Sequence, residues 1–170
     1  SGPYLFPLRQ EKNKLKSKKF KIGIKNSGNQ YFWQDEYRKV PLDKILSIIP
    51  DNVEVYYIDK FKPEIDDNRM IDLSNRINNW EDTFDFVDQM DCIVSTCTSL
   101  VHVAGSMAKP TFVLVPIAEY YIWTSTKTDG TSPWYDSNLY LAKQTKVRDW
   151  TEPLNQIKIR IEKMLKEYNE

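Results

Sequence analysis

The sequence predicts an α/β domain, a mostly parallel sheet flanked by helices, and three observations carry that prediction. Apolar runs of strand length at 20–25, 53–58, 92–94 and 111–115 are separated by segments long enough for helices. Residues 91–116, DCIVSTCTSLVHVAGSMAKPTFVLVP, follow one another as strand, tight turn, helix and strand with almost no linker, the order of a parallel crossover. The runs at 92–94 and 111–115 are continuously apolar, as suits strands covered on both faces.

Taken in order, the opening SGPYLFPLRQ has two prolines around an apolar Tyr-Leu-Phe and reads as a linker cut from a longer protein. Six lysines follow between Lys12 and Lys21 without helical alternation, so residues 1–19 are expected to be a linker and a solvated, mobile tail, with the domain proper at 20–170. Phe20 to Lys25 alternates and runs into the polar loop Asn26-Ser27-Gly28-Asn29, a first strand. Pro41 to Ile49 predicts a helix with proline in its first turn and Leu42, Ile45, Leu46 and Ile49 on one face. Val53 to Ile58 is a second strand closed by Asp59-Lys60, and Met70 to Leu73 a short third. Asp82 is expected to cap a helix running to Met90.

In the central unit the turn is expected at Ser95 to Thr98, with Thr98 the better N-cap because its hydroxyl can accept a bond from a free amide. The helix runs to about Ala108, where Lys109-Pro110 ends it; Val101, Ala104, Gly105 and Ala108 give it a small-residued face that can approach a sheet. After the strand at 111–115 come an aromatic loop, Tyr120-Tyr121-Ile122-Trp123, and a last strand at 139–142. Residues 150–168 form the clearest amphipathic helix, with Leu154, Ile157, Ile161, Leu165 and Tyr168 at three and four spacing. This alternation is that of a single Rossmann-like, doubly wound domain.

Composition narrows the function classes. At 170 residues the chain can bury a sizeable core, and 24 basic against 24 acidic residues give no whole-chain attraction to nucleic acid or an acidic membrane. No stretch approaches the roughly 20 apolar residues of a membrane span, and no secretory leader precedes the domain, so a soluble protein is expected. Two cysteines five positions apart and a single histidine indicate neither a disulfide framework nor a transition-metal centre, and a reducing, cytoplasmic setting fits.

The chemistry expected of the residues themselves lies at the start of the central helix. Its first-turn amides at Ser99 and Leu100 lack intrahelical acceptors and carry the positive end of the helix dipole, which favours an anion. His102, one turn after Thr98, either faces that anion or is a half-buried helix residue bonded to a backbone carbonyl. Trp80, Tyr120 and Trp123 are candidates for stacking on a base or sugar, or are core residues. Cys97 at the helix start is a conceivable nucleophile, although no histidine is close in sequence to serve as its base.

Four segments resemble one family, the carboxyl-terminal, donor-binding half of GT-B glycosyltransferases, in the heptosyltransferase-like group often fused to tetratricopeptide repeats. They are Gly23 to Asn29, GIKNSGN; Asp35 to Leu42, DEYRKVPL; Asp91 to Pro116; and Ser132-Pro133-Trp134-Tyr135 with Asp149-Trp150. Pro3-Tyr4-Leu5 is similar to the family's interdomain linker. The resemblance implies a nucleoside diphosphate sugar as substrate, with no metal and no other cofactor. Its diphosphate would lie on Thr98, Ser99 and Leu100 with Arg38 and His102, and Ser27, Gly28, Asn29, Asp59, Lys60, Cys97, Tyr120 and Trp123 would surround the donor.

It further implies that acceptor and general base belong to a missing amino-terminal domain, without which this half does not turn over. Departures from the family's pattern are Cys97 where an acidic residue is usual, Tyr120-Tyr121-Ile122-Trp123 in place of Asp-Trp-Arg-Trp, and Phe61 in place of glycine. They open a second reading, a domain that has lost donor chemistry and serves as an interaction module through residues 120–135. A sugar-nucleotide epimerase of the same architecture is a third.

Overall fold

The computed structural model describes residues 2–118, 120–135 and 138–170; Ser1, part of the opening segment read as linker, lies outside them, as do Glu119, Asp136 and Ser137. Six strands form one sheet: β1 (Lys21–Lys25), β2 (Glu54–Tyr57), β3 (Ile71–Asp72), β4 (Cys92–Thr96), β5 (Thr111–Val115) and β6 (Leu139–Lys143). All pairings are parallel and the order is β3-β2-β1-β4-β5-β6. The chain builds outward from β1 to one edge, returns to β4 and builds to the other, so a crevice opens between the carboxyl ends of β1 and β4.

Alternation along the strands divides the core into two layers. On β1 and β4, Ile22, Ile24, Cys92 and Val94 face α2 (Leu42–Ser47) and α6 (Thr151–Asn169), joining Ile45, Leu46, Leu154, Ile157 and Ile161. On the other side Ile93 and Ile58 meet Phe86 and Val87 of α3 (Trp80–Asp88) and Leu100, Val103 and Ala104 of α4 (Ser99–Ser106). Each aliphatic side chain removed from water this way contributes about 1.5–3 kcal/mol. Gly23 belongs to the second face, where a Cβ would stand 2.6 Å from the δ-methyls of both Ile58 and Ile93. A smaller cluster of Cys97, Val101, Val113, Val115, Leu139, Leu141 and Trp123, the last on α5 (Tyr121–Thr124), covers one face of β5 and β6.

Several local expectations are corrected. Strand β4 continues through Ser95 and Thr96, so the turn into α4 is shorter than 95–98. Thr98 holds the N-cap position of α4, but its hydroxyl caps nothing and lies 3.1 Å from Oγ of Ser95. The cap of α3 is Asn79 rather than Asp82: Asn79 Oδ1 accepts from the Asp82 amide at 2.9 Å. Helix α4 ends at Ser106 because Ala108 turns left-handed at φ 56°, and the amides of Ala108 and Lys109 close back on the carbonyls of Gly105 and Ala104.

The segment expected as a mobile tail lies across α3 and α4. The Tyr4 amide donates to the Ser106 carbonyl, Leu5 and Leu15 pack on the core, and a 3-10 turn at Glu11–Asn13 seats Asn13 against α3 with 1% of its surface exposed. The lysines expected to be solvated stay at the surface, so it is the backbone that is fastened. The last helix packs on its own sheet: Leu154, Ile157, Ile161 and Leu165 are buried, and Tyr168 meets Phe20 edge-on. No helix among the described residues is long and apolar enough to cross a membrane.

Candidate functional site

A cleft of about 730 Å³ opens in the crevice between β1 and β4. Its floor and walls come from carboxyl ends of strands and starts of helices: Lys25 from β1, Ile58-Asp59-Lys60 after β2, Asn78-Asn79-Trp80 and Thr83 around the start of α3, and Thr98-Ser99-Leu100 at the start of α4. The loop after β1 supplies Gly28, Asn29, Tyr31 and Arg38. Lys25, Arg38 and Lys60 line it with the carboxylate of Asp59; Lys25 is paired with Asp59 and Arg38 with Asp35 just behind the wall, so basic donors border a crevice whose charge is partly balanced.

Arg38 reaches the cleft because the loop that carries it is tied at its base. Asn26 and Val40 bond each other through backbone at 2.9 Å, and the Asn26 side-chain amide donates to the Val40 carbonyl as well. Within that loop Asp35 Oδ1 accepts from the Gly28 amide at 2.9 Å and from Arg38 Nε at 2.7 Å. The Arg38 guanidinium lies 5.0 Å over the ring of Phe32, and its Nη1 donates to the Cys97 carbonyl at 2.8 Å. The Thr96 hydroxyl donates in turn to the Arg38 carbonyl. The guanidinium is thereby fixed beside the turn that opens α4, with Nη2 taking part in neither bond.

Across the cleft Lys25 pairs with Asp59, each nine-tenths shielded from water. Burial pulls the Lys25 ammonium below its usual pKa, while the neighbouring Asp59 opposes that shift. At the rim stand exposed aromatic rings, Phe61, Trp80 and Tyr31, with Lys60 Nζ 4.9 Å over the ring of Phe61. Guanidinium and ammonium donors, a helix start and rim aromatics can together take an anion attached to a flat or sugar-like group.

Of the residues singled out in the sequence, Gly28, Asn29, Arg38, Asp59, Lys60, Thr98, Ser99 and Leu100 share this cleft, and Trp80 joins them at its rim. Ser27 lines an adjoining recess with Asn26, Tyr57 and Glu64. His102 is elsewhere: Nδ1 lies 2.6 Å from the Tyr135 hydroxyl and the ring stacks on Trp123 at 5.3 Å. It is two residues from Leu100, about 200° around the helix, and so meets the opposite neighbour. Burial lowers its pKa, keeping the imidazole neutral at pH 7.

Cys97 is 4% exposed, with Sγ donating to the Leu114 carbonyl at 3.6 Å. Trp123 is core at 2% exposure, and Tyr120 stacks on Phe32 at 5.8 Å. Sequence reasoning did not single out Lys25, Asn78, Asn79 and Thr83. Lys25 was visible as the last residue of a strand, whereas the asparagines follow a strand of two residues that leaves little periodic signal. Comparison with family models, curated proteins and solved structures found no match for this chain.

Proposed function

We propose that the cleft binds the diphosphate of a nucleoside diphosphate sugar, and that the chain is the donor-binding half of a metal-independent glycosyltransferase of the GT-B, heptosyltransferase-like kind. The observation carrying this reading is that Arg38 and the first residues of α4, far apart in sequence, line the same cleft at the switch point of the sheet. Ser99 and Leu100 would hold the phosphate oxygens through backbone N–H groups, and Arg38 would add charge without a metal. The exposed ring of Phe61 or Trp80 would cover the nucleoside.

On transfer, an acceptor hydroxyl attacks the anomeric carbon, the bond from that carbon to the β-phosphate oxygen breaks, and the acceptor's proton passes to a base supplied outside this domain. Negative charge then grows on the departing diphosphate, where fixed amides and a guanidinium stabilise it most. Titration of UDP, ADP and GDP into isotope-labelled protein tests the reading. Amide resonances of Gly28, Ser99 and Leu100 should shift and saturate at millimolar ligand, and Arg38→Ala should remove the saturation. If none of the three nucleotides moves those resonances, the donor-site reading falls.

A second reading, an interaction module without donor chemistry, is favoured by the exposed rings of Tyr121 and Trp134 in the stretch 120–135. It is the one left standing if the diphosphates fail to bind.

A further inference from the structure

The strap at the amino end and the wall of the cleft share one buried carboxylate. Asp82 has no exposed surface. Its Oδ2 accepts from the Asn78 amide at 3.0 Å, while its own amide donates to Oδ1 of Asn79, so the two residues that lead into α3 are locked by a reciprocal cap. Its Oδ1 accepts from Asn13 Nδ2 at 2.8 Å and from Lys12 Nζ at 2.7 Å, both on the strap. On the far side of the same turn, Asn78, Asn79 and Trp80 line the cleft.

We infer that Asp82 is a positioning residue that couples the docking of residues 9–13 to the shape of the cleft wall at Asn78–Trp80. With the strap seated, a cation and an amide complete the carboxylate's bonds and hold it where the cap of α3 needs it. With the strap lifted, a wholly buried charge loses Lys12, Asn13 and the longer contact of Gln10 at 3.5 Å and must turn toward water, and the turn that presents Asn78, Asn79 and Trp80 loosens with it. Strap and cleft therefore bias one another, and a ligand that needs the ordered wall stabilises the seated strap. Asp85 shares the strap with it, its carboxylate accepting from the amides of Arg9 and Gln10 at 2.6 and 3.0 Å and from the side chains of Gln10 and Asn13 at 2.8 and 3.0 Å, but among the described residues it makes no side-chain bond to Asn78, Asn79 or Trp80.

The effect on nucleotide affinity rests on the donor-site reading; the coupling itself does not. Amide hydrogen exchange is measured on the whole chain for wild type, Lys12→Met, Asn13→Ala and Asp85→Asn, without ligand and with UDP. Loss of one charge-assisted bond to Asp82 should speed exchange at Asn78 and Asp82 about tenfold in Lys12→Met and Asn13→Ala, with β1 and β4 unchanged. Asp85→Asn should speed exchange at Arg9 and Gln10 with a smaller change at Asn78. In wild type, UDP should slow exchange at residues 10–13.

Should Asn13→Ala fail to fold, Lys12→Met, altered at a half-exposed side chain, carries the test. Unchanged exchange at Asn78 and Asp82 in Lys12→Met overturns the coupling. If UDP leaves every amide unmoved, the donor-site reading falls, and the coupling is still decided by the ligand-free comparison.

Discussion

Gly28 lies directly beneath the guanidinium of Arg38: a Cβ at position 28 would stand 1.9 Å from Nη2 and 2.4 Å from Cζ. Its backbone is not left-handed, so alanine is excluded by the neighbour and not by conformational strain. Gly28→Ala should therefore push the guanidinium off Phe32 and away from the Cys97 carbonyl without disturbing the sheet. The expected result is roughly tenfold weaker UDP binding, the worth of one charge-assisted contact, with a thermal midpoint close to wild type. Unchanged affinity would mean that Arg38 does not touch the ligand.

The strap carboxylates make a pH prediction with a definite sign. Burial pushes the Asp82 carboxyl up, but bonds from Lys12, Asn13 and the Asn78 amide outweigh it and hold the folded pKa well below the ordinary value. Asp85 is depressed likewise, its burial outweighed by Asn13, Gln10 and the Arg9 amide. A folded pKa below the unfolded one gives stability that is complete above about pH 4, the unfolded carboxyl's pKa, and is lost as pH falls toward the folded value. Exchange protection of residues 9–13 should be flat from neutral pH down to that point, once intrinsic rates are corrected, and decline below it. Asp85→Asn should flatten the decline and cost about 1–3 kcal/mol of stability through its broken bonds.

The end of α4 offers a stabilising change. Ala108 occupies the left-handed position of a two-bond helix terminus, φ 56°, where glycine carries no Cβ penalty. Ala108→Gly should raise stability by about 1 kcal/mol, or roughly 3 °C in thermal midpoint, with no change in ligand binding. A lower midpoint would show that the methyl group contributes more through packing than it costs in strain.

How far the sequence could be read depends on which signals are local. Strands β1, β2, β4 and β5 and helices α2 and α6 were legible because their periodicity is their own, and the parallel, doubly wound class followed from their alternation, whereas the strand order came from the structure. The start of α4 was legible for the same reason, and with it Ser99 and Leu100. His102, Cys97 and Trp123 were not, since helical spacing gives relative angles but not which neighbour lies on which side; only the packing of β5, β6 and α5 puts Cys97 and Trp123 in the third cluster and stacks His102 on Trp123. The strap was misread because a run of lysines signals exposure of side chains. Asn13, Asp82 and Asp85, the residues that fasten it, are polar groups whose pairing spans about 70 positions.

The two thiols separate a structural cysteine from a reactive one. Cys92 has no exposed surface, and burial, with Asp91 adding to it, drives its thiol far above the ordinary pKa, so little thiolate exists at neutral pH. Cys97 sits at a helix start, the setting that lowers thiol pKa elsewhere, yet its Sγ points at the Leu114 carbonyl among Val113, Val115 and Trp123 and away from the cleft. A soluble disulfide reagent should label neither residue in the native protein and both in denaturant. Cys97→Ser should leave UDP affinity within about twofold, because an isosteric change outside the cleft removes no ligand contact. Rapid native labelling at Cys97, quenched by UDP, would instead put this side chain in the site and reopen a nucleophilic role for it.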